Sequence, residues 1–215
     1  MLLFLIRHGL TSHTNERLSG WLPGISLTDE GRKQAAGLAE RMRPVKLDAI
    51  YASPLERCME TARPLASSKK LRIRVRDTLG EVRYGDWEGK KLRTLAKTKL
   101  WRSVMQSPSR ARFPGGETIA ETQARAVTAI EQLREKHPDD SVAVVTHADV
   151  IRVLVAYYAG IHLDLYQRLV IAPVSISILW VGPGTPRVLA VNDTGTLDGY
   201  ASAPKEPRRS KPASR

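Results

Sequence analysis

The sequence lacks paired cysteines and long apolar runs. Cys58 is the single cysteine among 215 residues, which excludes an internal disulfide framework and is more common in a reducing compartment. The first six residues are apolar, but no basic residue precedes them, and the run is too short for a secretory signal or a membrane span. We therefore expect a soluble cytoplasmic protein that has no membrane partner.

Acidic residues are scarce relative to basic ones. The chain has 34 Lys and Arg against 22 Asp and Glu, which gives a net charge of +12 at pH 7 and a pI near 10.1. Residues 201–215 carry +4 of this charge, and the residues before them carry +8. A basic surface attracts anions of every kind, from phosphate esters to polyanions. The charge alone therefore does not identify the partner.

Two apolar runs end in histidine. Residues 2–6 form an unbroken apolar run followed by Arg7 and His8, and the β-branched run 142–146 ends in His147. Such runs are typical of buried parallel strands, and ligands bind at the carboxyl ends of these strands. Arginine suits phosphate or carboxylate, and an imidazole can act as nucleophile, base or ligand. If both strands are parallel, the two histidines meet at one edge of the sheet.

A second arginine follows another predicted strand. Residues 47–52 indicate a strand, and Ser53, Pro54 and Glu56 after it match a helix N-terminus with a capping box. The backbone N–H groups at a helix N-terminus bind anions. Arg57 lies in the first turn, where the helix dipole disfavours a cation unless a negative group offsets it. This placement favours a phosphate site, although an exposed arginine is an equally simple explanation.

A polar loop and a glycine-rich segment supply further candidates. Residues 10–27 are rich in Ser, Thr, Asn, Gly and Pro. Donors in this loop could reach an anion beside the first histidine, although these are also ordinary turn residues. Segment 79–89 contains Glu81, Asp86 and Glu88, and a carboxylic acid near two arginines could give a proton to an ester oxygen. The residues alone do not choose among these three carboxylates.

The remaining elements predict one α/β domain, for which 215 residues is a suitable length. Segment 90–113 is basic, and we expect it to be helical, with Trp101 and Met105 forming a mobile cover. Residues 196–215 form a basic C-terminal tail that we expect to be disordered. Apolar spacing and capping residues predict helices over 28–42, 118–137 and 149–158 and further strands over 71–75, 174–181 and 187–191.

Five motifs occur in order along the chain. They are Arg7-His8-Gly9 with Thr11; Ser53-Pro54-Leu55 with Arg57 and Thr61-Ala62; Glu81 with Gly85, Trp87 and Gly89; Gly115-Gly116-Glu117; and Thr146-His147 with Val150-Ile151-Arg152. This ordered set resembles the histidine phosphatase superfamily, in its phosphoglycerate-mutase-like branch 1, over about residues 2–195. The resemblance implies a three-layer α/β/α sandwich around a mostly parallel central sheet, in a domain that spans residues 1–195.

The resemblance also implies roles for the polar residues. His8 would be the nucleophile that accepts the phosphoryl group and becomes phosphohistidine. Arg7, Arg57 and a cationic His147 would hold the phosphoryl oxygens, and Glu81 would protonate the leaving alkoxide. Phosphoryl transfer needs positioning and positive charge, so we expect no metal and no other cofactor. The implied substrate-binding residues are Thr11, Asn15, Gly20, Tyr84 and Ala148.

Some positions depart from the pattern of the family that the chain resembles. Many relatives have Glu or Gln where this chain has Leu10, and Asn where Thr14 stands, so Asn15 falls one place late. Relatives often have two glycines after the second histidine, whereas this chain has Ala148 and Asp149. Asp149 could place a negative charge beside the phosphate pocket, but we rather expect it to cap the following helix.

Three functions are compatible with these residues. A phosphomonoesterase acting on a small phosphorylated metabolite is favoured, because mutases of the family generally carry a longer insert before the Gly-Gly-Glu turn. A cofactor-dependent phosphoglycerate mutase is the alternative, since Tyr84-Gly85 resembles the mutase loop and Lys90 and Arg93 follow it. The third is a catalytically idle polyanion-binding protein, against which the complete set of site residues argues. Nucleic acid is therefore not the expected partner, and we expect a monomer or a homodimer.

Overall fold

The computed structural model describes residues 1–195 and Leu197, and a six-stranded sheet forms its centre. The strands are β1 (Leu2–Arg7), β2 (Ala49–Ala52), β3 (Ile73–Val75), β4 (Ser141–Thr146), β5 (Ile176–Trp180) and β6 (Arg187–Asp193). Their order is β3-β2-β4-β1-β5-β6. The first four strands of this order pair in parallel, whereas β5 and β6 are antiparallel. The predicted mostly parallel sheet is confirmed.

Helices cover both faces of the sheet. They are α1 (Asp29–Arg41), α2 (Glu56–Lys69), α3 (Leu92–Leu95), α4 (Lys99–Gln106), α5 (Ile119–Lys136) and α6 (Ala148–Ala159). The buried side chains of α1 and α2 share one apolar core with the sheet, and those of α5 and α6 share the other. The predicted three-layer α/β/α sandwich is therefore confirmed.

The two cores explain the unbroken apolar run of β1. Leu3 and Leu5 belong to the core with α5 and α6, whereas Phe4 and Ile6 belong to the core with α1 and α2. Successive side chains of a strand point to opposite faces, so a strand covered on both faces needs apolar residues at every position. Strand β4 pairs with β1 in parallel register, which brings the residues after both strands to one edge.

The start of α2 differs from the prediction. The helix begins at Glu56, its N-cap residue is Leu55, and no side chain caps it. The Ser53 hydroxyl instead lies 2.8 Å from Nε2 of His147, and the Glu56 carboxylate accepts the Gly24 backbone N–H at 2.9 Å. The predicted capping box is wrong because distant parts of the chain provide the partners of both side chains.

The basic segment over residues 90–113 also differs from a plain helical prediction. It contains the short helices α3 and α4 and a 3-10 turn at Pro108–Arg110. Thr98 accepts the backbone N–H of Trp101 at 3.1 Å and so starts a new helix. Helix α4 then ends just before Ser107, because the residue that precedes a proline is disfavoured in helical conformation. The segment is therefore a series of short helical pieces and not one continuous helix.

The C-terminal boundary lies at the limit of the described residues. Leu197 is 1% exposed and packs in the core that contains α1 and α2, although the predicted tail begins at 196. Residues 196 and 198–215 lie outside the described residues, so the disordered tail stays a prediction. None of the helices within the described chain has the length and apolar character that a bilayer span requires.

Candidate active site

The carboxyl edge of the sheet collects the polar residues that follow β1, β2 and β4. His8 follows β1, Ser53 follows β2, and His147 follows β4, which lies between the other two strands. The rings of His8 and His147 are edge-to-face, with their centroids 5.3 Å apart. The sequence prediction that both histidines meet at one edge is confirmed.

His8 is held in one tautomer. Its Nδ1 lies 2.7 Å from the backbone carbonyl of Gly9, and a carbonyl can only accept, so Nδ1 carries the hydrogen. Burial lowers the pKa of His8 well below its usual range, and the nearby cations Arg57 and Arg7 lower this pKa further. The ring is therefore neutral at pH 7, with an unprotonated Nε2 available as a nucleophile.

The two arginines bring buried donors that lack partners. Arg57 is 1% exposed, and its Nη2 donates to the Gly20 carbonyl at 2.9 Å. Arg7 donates through Nη1 to the Ile171 carbonyl at 2.6 Å. Within the described residues, Nε and Nη1 of Arg57 and Nε of Arg7 are buried without a hydrogen-bond partner. Because buried donors are normally satisfied, these three nitrogens indicate an anion-binding site.

His147 is fully buried behind the arginine. Arg57 Nη2 lies 3.2 Å from its Nδ1, and since arginine only donates, Nδ1 accepts and the hydrogen sits on Nε2, toward the Ser53 hydroxyl. Burial, followed by Arg57 and His8, holds the pKa of His147 well below its usual range. The neutral form of His147 is therefore favoured in the free site, and a cationic His147 during phosphoryl transfer stays a prediction.

Of the three candidate carboxylates, Glu81 is the one that lines the cavity with His8. Trp21 Nε1 and Arg125 Nη2 fix the Glu81 backbone carbonyl at 2.7 and 2.8 Å. Its side chain is 12% exposed. Burial raises the pKa of Glu81 to about 7, and the charge of Asp149 contributes in the same direction. A substantial fraction of Glu81 is therefore protonated at neutral pH and can donate a proton.

The other two candidate carboxylates lie elsewhere. Asp86 is exposed. A Cβ built on Gly20 would meet the Glu88 side chain at 2.5 Å, so Glu88 packs closely against that glycine. Neither side chain lines the cavity that contains Glu81. Of the three carboxylates, Glu81 alone therefore lies where it could reach a bound ester, and its role as the acid stays a prediction.

Asp149 faces the cavity instead of capping a helix. The N-cap residue of α6 is His147, and the Asp149 carboxylate accepts the Tyr84 hydroxyl at 2.7 Å and Arg152 Nη1 at 2.8 Å. The predicted cap is wrong because these two partners orient the side chain toward the substrate cavity. Asp149 also contributes the second-largest effect on the pKa of Glu81.

A cavity of about 340 Å³ joins these groups. Four of the predicted substrate-binding residues line it, namely Thr11, Asn15, Tyr84 and Ala148. Gly20 does not line the cavity; its carbonyl accepts Arg57 and so positions that side chain, which corrects the predicted role. His147 is likewise absent from the cavity wall and contacts it through Arg57 and His8.

Two residues with supporting roles were not assigned from the sequence. Ser53 holds His147 through its hydroxyl, as given above. The Thr61 hydroxyl accepts the Gly9 backbone N–H at 3.0 Å and donates to the Arg57 carbonyl at 2.6 Å. Thr61 thus ties the turn after β1 to the first turn of α2. Both residues belong to the second ordered motif, which was the available signal.

Metal-ligating side chains are not grouped in the part of the chain that the structure describes. No group of three or more His, Cys, Asp or Glu has an arrangement that could hold a metal ion there. The positive charge beside His8 comes from Arg7 and Arg57.

Comparison with known proteins decides the family. Residues 3–194 match the model of the histidine phosphatase superfamily (branch 1). The chain belongs to this superfamily. It is similar to phosphoserine phosphatase 1 of Hydrogenobacter thermophilus, with 27% identity over 92% of this chain and 95% of that protein.

Two further similarities agree with this assignment. The adenosylcobalamin/alpha-ribazole phosphatase of Escherichia coli K12 is 31% identical over 74% of this histidine phosphatase and 80% of its own length. The solved structure of Bacillus stearothermophilus YhfR has a TM-score of 0.84 and 30% identity, and covers 90% of this chain and 98% of its own. The resemblance drawn from the five motifs is confirmed.

Proposed function

We propose that this histidine phosphatase is a metal-independent phosphomonoesterase that acts through a phosphohistidine on a small phosphorylated metabolite. The observation that carries the proposal is the pairing of the unprotonated His8 Nε2 with the unpartnered, buried N–H groups of Arg7 and Arg57 in one cavity. The two relatives described above are named phosphoserine phosphatase 1 and adenosylcobalamin/alpha-ribazole phosphatase. These names support a small phosphorylated substrate.

In the first step, the lone pair of His8 Nε2 attacks the phosphorus atom. The bond from phosphorus to the ester oxygen breaks, and Glu81 gives its proton to that oxygen, so the product leaves as a neutral alcohol. The guanidinium groups of Arg7 and Arg57 hold the phosphoryl oxygens, where bidentate charge-assisted hydrogen bonds stabilise the transition state. The step leaves a phosphohistidine and an ionised Glu81.

In the second step, water attacks the phosphorus atom of the phosphohistidine. The ionised Glu81 accepts a proton from this water, the bond from phosphorus to Nε2 breaks, and inorganic phosphate leaves. His8 returns to its neutral form, and Glu81 returns to its protonated form. A pKa near 7 suits this double role, because both protonation states are accessible at the working pH.

The mutase alternative has less support. Lys90 and Arg93, which would bind the acidic groups of phosphoglycerate, are exposed and do not line the cavity. The polyanion-binding alternative leaves the buried arginine donors unexplained, because an exposed basic surface would suffice for it. The proposed cytoplasmic location and the monomeric or homodimeric state remain predictions.

The proposal is tested with p-nitrophenyl phosphate in excess EDTA. We expect turnover that EDTA does not reduce and that His8→Ala abolishes, because the variant lacks the nucleophile. Val170→Ala serves as a control variant, since Val170 is 67% exposed and lies outside the cavity wall. Loss of activity in EDTA would contradict metal independence, and full activity of His8→Ala would contradict the assigned nucleophile.

A further inference from the structure

The cavity lining combines two chemically different sets of side chains. One set is polar and contains Arg7, His8, Arg57 and Glu81. The other set is apolar and comprises Leu18, Leu92, Trp101, Met105 and Phe113, which we call the apolar wall. The broken segment over residues 90–113, which contains α3 and α4, contributes four of these five side chains. A phosphate held by the arginines therefore leaves apolar side chains in the same cavity for contact with the alcohol part of the ester.

Trp101 gives this wall a fixed shape. Its ring stacks on Trp87 at a centroid distance of 6.0 Å and an interplanar angle of 30°. Trp87 is 5% exposed and packs edge-to-face on Phe113, with centroids 5.5 Å apart. Met105 is 45% exposed beside this stack. An aromatic stack backed by the core offers apolar area with little entropy loss on binding.

Two arginines of the cavity lining, Arg17 and Arg152, already donate hydrogen bonds within the chain. Arg152 is bound to the Asp149 carboxylate at 2.8 Å and to the Leu169 carbonyl at 2.8 Å. Arg17 donates through Nη1 to the Gly89 carbonyl at 2.7 Å. Asp149 adds a negative charge to the same cavity lining. A second carboxylate or phosphate on the substrate would meet Asp149 and compete for these existing bonds.

Building on the proposed function, we propose that the preferred substrates are phosphomonoesters whose alcohol part is apolar and uncharged, and that Trp101 and Met105 bind this part. The arginines hold the phosphate, and the apolar part removes the apolar wall from water. Transfer of apolar surface from water is the driving force for this selection. Small polyanionic esters gain no binding free energy from the apolar wall.

A series of ethyl, butyl and hexyl phosphate tests the proposal. Their leaving alcohols have closely similar acidity, so the chemical step changes little along the series. We expect kcat/KM to rise by up to about 4-fold for each methylene that is buried. Glycerol 2-phosphate and 3-phosphoglycerate are expected below butyl phosphate. A flat series, or a preference for the two polar esters, would overturn the inference.

Two variants test whether the apolar wall causes this substrate preference. Trp101→Ala and Met105→Ala should each flatten the dependence of kcat/KM on chain length, mainly through a higher KM for hexyl phosphate. Val75→Ala is the matched control, because Val75 is 42% exposed on β3 and does not line the cavity. An unchanged chain-length dependence in both wall variants would overturn the assigned contacts.

Calorimetric binding separates this inference from the proposed function. Hexylphosphonate and methylphosphonate contain no ester bond that the enzyme could hydrolyse. At least tenfold tighter binding of hexylphosphonate supports the apolar wall, and equal binding overturns it. Absence of turnover on every ester would instead overturn the proposed function, whatever the phosphonates show.

Discussion

Glu81→Gln tests the acid at the centre of the mechanism through two independent measurements. The substitution keeps the shape of the side chain and removes its titration. Burial raises the pKa of Glu81 to about 7 in the folded protein, from an ordinary value of about 4.5 in the unfolded chain. One unit of pKa corresponds to about 1.4 kcal/mol, so the difference corresponds to about 3 kcal/mol of folding free energy.

The direction of the stability effect follows from proton binding. Between about pH 4.5 and pH 7 the unfolded state releases the Glu81 proton while the folded state keeps it. The unfolded state therefore binds fewer protons in this window, so the free energy of unfolding falls as the pH rises and becomes level above it. The Gln variant does not lose this stability, because glutamine does not titrate. Its stability relative to the native chain should increase by about 3 kcal/mol from pH 4 to pH 8.

Denaturant unfolding at both pH values measures this change. Asp86→Asn is the control, because Asp86 is an exposed carboxylate in the same segment, and its relative stability should change little. A Gln variant whose relative stability is the same at pH 4 and pH 8 would refute the raised pKa of Glu81.

The same variant separates proton donation from positioning. An alkyl ester needs a proton on its leaving oxygen, whereas p-nitrophenolate leaves readily without one. We expect Glu81→Gln to reduce kcat/KM by about 10²–10⁴-fold for butyl phosphate and far less for p-nitrophenyl phosphate. For the native chain, kcat/KM on butyl phosphate should fall as the pH rises through about 7. Equal losses on both esters would refute the role of Glu81 as the acid.

Three further predictions concern the surroundings of the site. Burial raises the pKa of the Cys58 thiol to about 12, so iodoacetamide should leave the native chain unmodified and alkylate one thiol after denaturation; rapid native labelling would contradict this. Ser53→Ala removes the hydroxyl 2.8 Å from His147 Nε2 and leaves only the weaker Cys58 Sγ contact at 3.4 Å, so it should lower the free energy of unfolding by about 1–3 kcal/mol, whereas an unchanged denaturant midpoint would show that the Ser53 bond adds nothing. Gly85→Ala should lower the free energy of unfolding by about 1–3 kcal/mol, because Gly85 has a φ of +55° and its backbone packs against Pro114. Equal melting temperatures of the variant and the native chain would refute this backbone strain.

The sequence predicted the elements whose signals are local. The apolar run of β1 and the pattern 142–146 placed two strands, and parallel pairing brought both histidines to one edge. The helix predicted over 149–158 is observed as α6, which ends at Gly160 with a φ of +67°. These features depend on periodicity, burial and backbone conformation, which neighbouring residues determine.

The predictions that failed depend on distant partners. Ser53 and Glu56 have the spacing of a capping box, but His147 and Gly24 take their side chains. Asp149 has the position of a capping residue, but Tyr84 and Arg152 take its carboxylate. Hydrogen bonds of this kind become available only after the chain folds, so local spacing cannot choose between them.

The site residues show the same division. Motif order named His8, Arg7, Arg57, Glu81 and His147 as a set. The protonation of the two histidines and of Glu81 could not follow from the motifs, because burial and neighbouring charges determine those pKa values. The apolar wall could likewise not be predicted, because the sequence does not define the path that brings α3 and α4 to the cavity.

Phosphohistidine trapping tests the central claim most directly. The native chain is mixed with a ³²P-labelled phosphomonoester, denatured in alkali within milliseconds, and separated from free phosphate. We predict label that survives alkali, is released by acid, maps to His8 by peptide sequencing, and is missing in His8→Ala. Label on another residue, or full turnover without any labelled protein, would contradict the account.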